Sequence, residues 1–358
     1  MREAATPSGP SSPTIEQVAR LAGVSVSSAR NYFSRPEVLS AQTLARVRAA
    51  VQETGYAPRG SVAGLGRRQL ARIGFEVPRA EDPAANPVFS QLLLSLLWAA
   101  RSANFRLHPF VTDKEPGSRA PYYQQLCEQR EVGGFILTDV AYDDERVAYL
   151  QDAEVPFVLF GRLRQETSYC WADNDNVAGS VIAVEHLVEQ GHQRIAYLGW
   201  PSSDAVADRR LEGYRLGLAV AGGLPECIEV QSYGQSALGQ ARSLLRRSPR
   251  PTAVIASCDE FAYDAIRAAA SLGLEVGGGP GQVAVVGCDD SALAERTVPT
   301  LTSLRQPIQR IAERTVGLLA ARIANPRFEA HALERPELIV RESSSRGRRL
   351  AGKAADRG

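Results

Sequence analysis

The sequence predicts an all-α head of three short helices followed by an α/β body built as two lobes. Three observations carry that prediction. Within residues 14–58 the apolar side chains recur at helical spacing, at i, i+3, i+4 and i+7. From Ile73 onward, short apolar runs alternate with longer amphipathic stretches, the pattern of parallel sheets flanked by helices. The alternation comes in two successive sets, and 358 residues exceed what one core usually organises. Apolar residues make up 44% and charged residues 23% of the chain, the proportions of an ordinary soluble protein.

Residues 1–13, MREAATPSGPSSP, have no apolar core segment and are expected to be a disordered tail, neither a signal peptide nor a membrane anchor. In residues 14–58, Ile15, Val18, Ala19 and Ala22 share one face of a first helix, and Gly23 stops it. Ser25 then caps a second helix whose Ala29, Tyr32 and Phe33 supply the facing apolar surface. Ser40 caps a third, with Leu44, Val47, Ala50 and Val51 inward, and Gly55 with Pro58 ends it. Helix, tight turn and helix form the helix-turn-helix unit, which lays its second helix in a DNA major groove.

Charge supports that use. Residues 14–72 hold nine arginines (20, 30, 35, 46, 48, 59, 67, 68 and 72) against Glu16, Glu37 and Glu53, a net of +6. The whole chain is +1 and residues 1–13 cancel, so the remainder is +1 − 6 = −5. A basic head on an acidic body binds phosphates by one end only. The second helix opens with Val26, Ser27 and Ser28, small enough to approach base edges, and Arg30 follows. Ser25 and Ser40 stand at helix N-termini, where free N–H groups favour phosphate; plain capping is the alternative for each.

At these residues the chain resembles the lactose-repressor (LacI/GalR) family of bacterial transcription regulators. The string TIxxVAxxAGVS begins at Thr14, SxxT at Ser40 and GYxP at Gly55. The resemblance implies that Val26, Ser27 and Asn31 read bases. It also implies that Leu65, in a hinge linker over residues 59–72, wedges into the minor groove. The chain departs where relatives continue with Thr-Val-Ser-Arg: Asn31 takes the usual arginine position and Arg30 is its neighbour. Gly60, Gly64 and Gly66 disfavour a hinge helix by about 1 kcal/mol each, which leaves a plain flexible linker as the alternative.

In the body, strands are expected at 73–77, 106–111, 135–138 and 157–160, with helices near 89–103, 122–130 and 144–151. A second set has strands at 195–198, 253–257 and 283–286 and helices near 177–190, 207–221, 238–246 and 261–272. The stretch 301–304, a helix at 308–324 and a strand at 338–340 let the chain cross back between lobes. Residues 73–342 are thus the two-lobed domain and 343–358 a polar, basic, flexible tail. Ordered strings such as Gly133-Gly134-Phe135, Glu185-His186-Leu187 and Arg210-Leu211-Glu212-Gly213-Tyr214 resemble the same family's effector core, which is similar to a periplasmic sugar-binding protein.

Ligands of such folds bind outside the carboxyl ends of the strands. Arg162, Asp259 and Asp289 each follow a strand, and Arg210 opens a helix facing the same mouth. The resemblance makes Arg210 and Asp289 direct effector contacts, with Asn86, Phe89, Arg162, Asp259 and Gln306 after them. Arg162 and Asp259 have an equal alternative as an interlobe salt bridge or helix cap, and Asp290 is read as a turn cap. Cys258 and Cys288 replace the asparagine and the aromatic common in relatives, while Trp171 and Trp200 are either a stacking platform or packing. His192 has no acid or nucleophile spaced to assist it, and Gly277 to Gly281 lacks the Lys-Ser/Thr of a phosphate loop.

Five scattered cysteines without a CxxC pair argue against a disulfide framework or a zinc site, and for a reducing cytoplasm. The expectation is a homodimeric, cytoplasmic regulator, read as a repressor, on the nucleoid when bound to operator DNA. Its effector is a small hydroxylated metabolite such as a sugar, with no cofactor, metal, enzymatic activity or membrane contact. A solute-binding module of similar fold is the rival reading; a secretion signal would mark it.

Overall fold

The computed structural model describes residues 14–34, 38–54, 72–77, 87–112, 119–141, 143–163, 169–200, 205–222, 226–229 and 236–346. Leu65, Asn86, most of the 59–72 linker, and residues 1–13 and 347–358 lie outside them. Local chemistry starts the head. Thr14 and Gln17 form a capping box on α1 (Ile15–Ala22), and Gly23 ends that helix at φ 62°, a left-handed conformation suited to glycine. Ile15, Val18, Ala19 and Ala22 pack on Ala29 of α2 (Val26–Ser34) and on Val47 and Ala50 of α3 (Ala41–Thr54). Tyr32 and Phe33 close the edge of this core, edge to face at 5.0 Å.

The first half of the body comprises β1 (Arg72–Glu76), α4 (Pro87–Ser102), β2 (Arg106–Phe110), α5 (Arg119–Glu128), β3 (Gly134–Leu137), α6 (Glu145–Asp152), β4 (Phe157–Phe160) and β5 (Cys170–Asn174). Next come α7 (Asn176–Glu189), β6 (Ile195–Gly199), α8 (Ala205–Val220), β7 (Glu226–Glu229), α9 (Leu238–Leu245), β8 (Ala253–Ala256), α10 (Asp259–Ser271), β9 (Ala284–Cys288) and β10 (Thr302–Arg305). The chain then forms α11 (Ile308–Ala324), β11 (His331–Glu334) and β12 (Glu337–Ile339). Two six-stranded sheets result, ordered β11-β5-β4-β3-β1-β2 and β12-β10-β9-β8-β6-β7. Their strands run parallel except β12, which is antiparallel to β10. Helices cover both faces of each sheet, so the inner strands are buried on both sides while the edge strands β2, β11 and β12 are partly exposed.

Three strands were not foreseen, β5, β7 and β11. β5 carries Asp and Asn rather than an apolar run, and its strand character comes from pairing with β4 and β11. Trp171 therefore sits in a strand, stacked on His331 at 4.6 Å. The polar tail also starts later than expected. Ser343 and Ser344 are fully buried, because Ser343 donates to Val285 O at 2.6 Å and Ser344 bonds Thr302 at 2.7 Å.

Sheet order makes the chain pass between lobes at 174–176, 305–308 and 334–337 among the described residues. At the carboxyl end of β1, Arg146 is buried and paired, to Glu76 at 2.9 Å and Asp144 at 2.6 Å.

Candidate nucleic-acid interface and effector site

In the head, Ser25 Oγ accepts from the Ser28 N–H at 3.0 Å and Ser40 Oγ accepts from the Thr43 N–H at 3.2 Å. Both serines are thus placed as helix caps. They fix where α2 and α3 begin, and so which side chains α2 turns outward. Ser27 and Arg30 are exposed, whereas Asn31 is half-buried and Val26 packs half-buried against the head's own core.

In the body, the crossovers gather one group of charged side chains. Arg210 lies in the second turn of α8 rather than at its start, and is buried. Its Nε donates to Asn176 Oδ1 at 3.0 Å, Nη1 donates to the Ser257 carbonyl, and Nη2 is 3.7 Å from Asp289 Oδ1. The guanidinium also lies 5.6 Å from the centre of the Trp200 ring, within cation–π range. Asp289 follows β9, and its Oδ1 accepts from Gln306 Nε2 at 2.6 Å. Burial pushes the Asp289 carboxyl up to about 7, against the pull of Arg210 beside it. Asp289 and Asp290 hold φ of 114° and 48°, which cost on the order of 1–3 kcal/mol each in a non-glycine residue. Asp290 offsets that strain by pairing with Arg305 at 2.6 Å and Arg341 at 2.7 Å.

Asp259 is close by but committed to other partners. One oxygen accepts from the Ser291 N–H at 2.7 Å and hydroxyl at 2.8 Å, the other from Ser303 Oγ at 2.5 Å. Burial raises its pKa to about 6 despite these hydrogen bonds. It braces α10 to the turn after β9 and to β10. Arg162 belongs to a separate cluster, donating to Asp173 at 3.0 Å and lying 5.0 Å from the Trp171 ring centre. Arg209 of α8 joins that cluster across the lobes through the carbonyls of Arg162 and Leu163, each at 3.2 Å. Phe89 packs in the first lobe's core, stacked on Phe75 at 5.8 Å.

The structure therefore brings Arg210, Asp289 and Gln306 together, holds Asp259 behind them, and sets Arg162 and Phe89 apart. Sequence reasoning missed Asn176, Ser257 and Arg209. The only local signals were the neighbours, since Arg209 adjoins Arg210 and Ser257 precedes Cys258. Around Arg210 a cavity of about 10 Å³ is lined by Asn174, Asn176, Ser257, Cys288 and Pro336 among others, room for one water-sized sphere. Asn174 Oδ1 and Ser257 Oγ are buried there without a partner among the described residues. Cys258 begins α10 without giving a side-chain cap, and burial holds its thiol protonated.

Residues 14–59 match the family described as bacterial regulatory proteins, lacI family, and residues 184–344 match the periplasmic binding protein-like domain. The chain is 31% identical to the HTH-type transcriptional regulator CelR of Thermobifida fusca, across 92% of this chain and 98% of that protein. It is 27% identical to the ribose operon repressor of Escherichia coli (strain K12), across 93% and 99%. Among solved structures it is similar to a complex of the transcriptional regulator CelR with cellobiose, with a TM-score of 0.69 and 29% identity over 92% of this chain and 99% of that one. A regulatory protein of the LacI family from Chloroflexus aggregans has the same TM-score, 0.69, with 32% identity over 76% and 98%.

Proposed function

The chain belongs to the lacI family of bacterial regulatory proteins, and we propose that it is a repressor whose grip on operator DNA responds to a small hydroxylated metabolite. That it is a DNA-binding transcription regulator, not an enzyme, follows from the family. The finer reading rests on one observation: Arg210, Asp289 and Gln306 converge where the chain passes between its two lobes. Charged donors and acceptors on adjacent elements suit a ring bearing several hydroxyls, because charge-assisted hydrogen bonds are the stronger ones. Relatives named for ribose and for cellobiose support a sugar or a related compound.

In this reading Ser27, Asn31 and Val26 address base edges, Arg30 addresses phosphate, and Leu65 of the 59–72 linker enters the minor groove. The helix-turn-helix domain spans 14–58 and the effector domain begins at 73. The protein acts as a homodimer. On α4, Leu94, Leu97 and Trp98 stay exposed beside a groove against α11 of about 670 Å³, an apolar face that a second copy would cover. Among the described residues no helix is long and apolar enough to cross a membrane. We place the protein in the cytoplasm, on the nucleoid when bound.

The test is to recover genomic DNA bound by the purified protein and measure its affinity with and without cellobiose, ribose and a panel of other sugars. A specific operator whose affinity shifts at least tenfold with one sugar supports the proposal. Specific binding that no sugar or sugar phosphate alters removes the effector half.

A further inference from the structure

We propose that Asn176 is a positioning residue that ties Arg210 to the first interlobe crossover, so that the effector arginine is also a strut of the hinge. The proposal rests on the effector reading only for what draws on Arg210; the strut itself stands on geometry. Residues 174–176 are where the chain leaves β5 in one lobe and enters α7 in the other. Asn176 Oδ1 accepts from Arg210 Nε at 3.0 Å and from Asn174 Nδ2 at 3.1 Å, while Asn176 Nδ2 donates to Asn174 O at 3.2 Å. The amide is therefore used at both ends, and Arg210, on α8, is fastened to the crossover rather than merely near it. Between Asn174 and Asn176, the Asp175 N–H donates to Glu334 O at 2.8 Å, which joins the first crossover to the third.

The partner of Arg210 is fastened in the same manner. Asp289 Oδ1, 3.7 Å from Arg210, takes its hydrogen bond from Gln306, which lies in the second crossover between β10 and α11. Each member of the charged pair thus hangs from a different crossover. Pro336 of the third lines the same small cavity. A ligand that recruits Arg210 or Asp289 must compete with the bonds that fix the hinge, so occupancy and lobe angle are linked through these side chains. Asparagine fits this role because it accepts from the guanidinium and donates to a backbone carbonyl together. Aspartate retains the acceptor, and alanine retains neither.

The deciding experiment needs no ligand. Hydrogen–deuterium exchange is followed in the full-length protein over peptides covering 172–180 and 303–310. Arg210→Met keeps the apolar stem and removes the hydrogen bonds. It is expected to speed exchange over 172–180 by roughly tenfold, the scale of one hydrogen bond to a charged group. Asn176→Ala is expected to do the same, and Arg210→Met to speed 303–310 as well because it also loses Asp289, whereas Asn176→Asp restores 172–180 to within about twofold of wild type. Exchange over 172–180 that stays within twofold of wild type in Arg210→Met overturns the strut. Should that variant not fold, equal exchange in Asn176→Ala and Asn176→Asp overturns it instead. A second arm titrates ribose and cellobiose into wild type and Arg210→Met. Unchanged sugar binding alongside faster exchange would sink the effector reading and leave the strut standing.

Discussion

Replacing Asp289 with alanine is expected to silence the effector response. Its carboxyl is buried, takes one hydrogen bond from Gln306 at 2.6 Å and faces Arg210 at 3.7 Å, so a hydroxylated ligand there meets a carboxyl shielded from water. One hydrogen bond to such a group contributes about 1.5–3 kcal/mol, or roughly 10- to 100-fold in Kd. A tenfold change in operator affinity requires a ligand to prefer one state by only about 1.4 kcal/mol. Loss of the Asp289 bond is therefore enough to remove such a response. Calorimetry with the active sugar measures the first quantity, and fluorescence anisotropy on labelled operator, with and without sugar, measures the second. By linkage, if the sugar weakens operator binding, operator must weaken sugar binding by the same factor.

The pH dependence carries a sign. The folded carboxyl holds its proton up to about pH 7, so the stronger, ionised acceptor forms only as pH rises through that value. Wild type should bind the sugar more tightly at pH 8 than at pH 6, and Asp289→Asn should lose most of that dependence. Alanine and asparagine variants that bind as tightly as wild type, with the response intact, would refute the placement of the site.

Three further outcomes are expected. Deleting residues 1–72 should leave a folded body that no longer retains operator in a mobility-shift assay, and retention at full strength would move DNA binding elsewhere. Asn31→Ala should change which sequences are selected from a random DNA pool. Arg30→Ala, by contrast, should weaken all of them about equally and lower the salt dependence by roughly one ion. Leu65→Ala should reduce both operator affinity and the bend seen in circularly permuted fragments, and an unaltered bend would remove the wedge.

Sequence alone determined what is local. Thr14, Ser25 and Ser40 each start a helix because a side-chain oxygen meets an N–H three residues on, an interaction written within one turn. The helix at 308–324 was legible to the residue, because its apolar face repeats for several turns. Two lobes followed from alternating periods, a property of the chain read in order. Tertiary structure decided what depends on pairing between distant residues. β5 became a strand through its neighbours β4 and β11, although Asp173 and Asn174 disfavour strands. The serines at 343 and 344 were drawn into the core by hydroxyl bonds to strands some 40 to 60 residues earlier. Asp259 and Asp289 look alike in sequence, each an acid just past a strand. Only the packed Ser291 and Ser303 turn one into a brace, while Gln306 and Arg210 hold the other beside the guanidinium. The attachment of Arg210 to Asn176 spans 34 positions and depends on how α8 packs against α7, which no local spacing encodes.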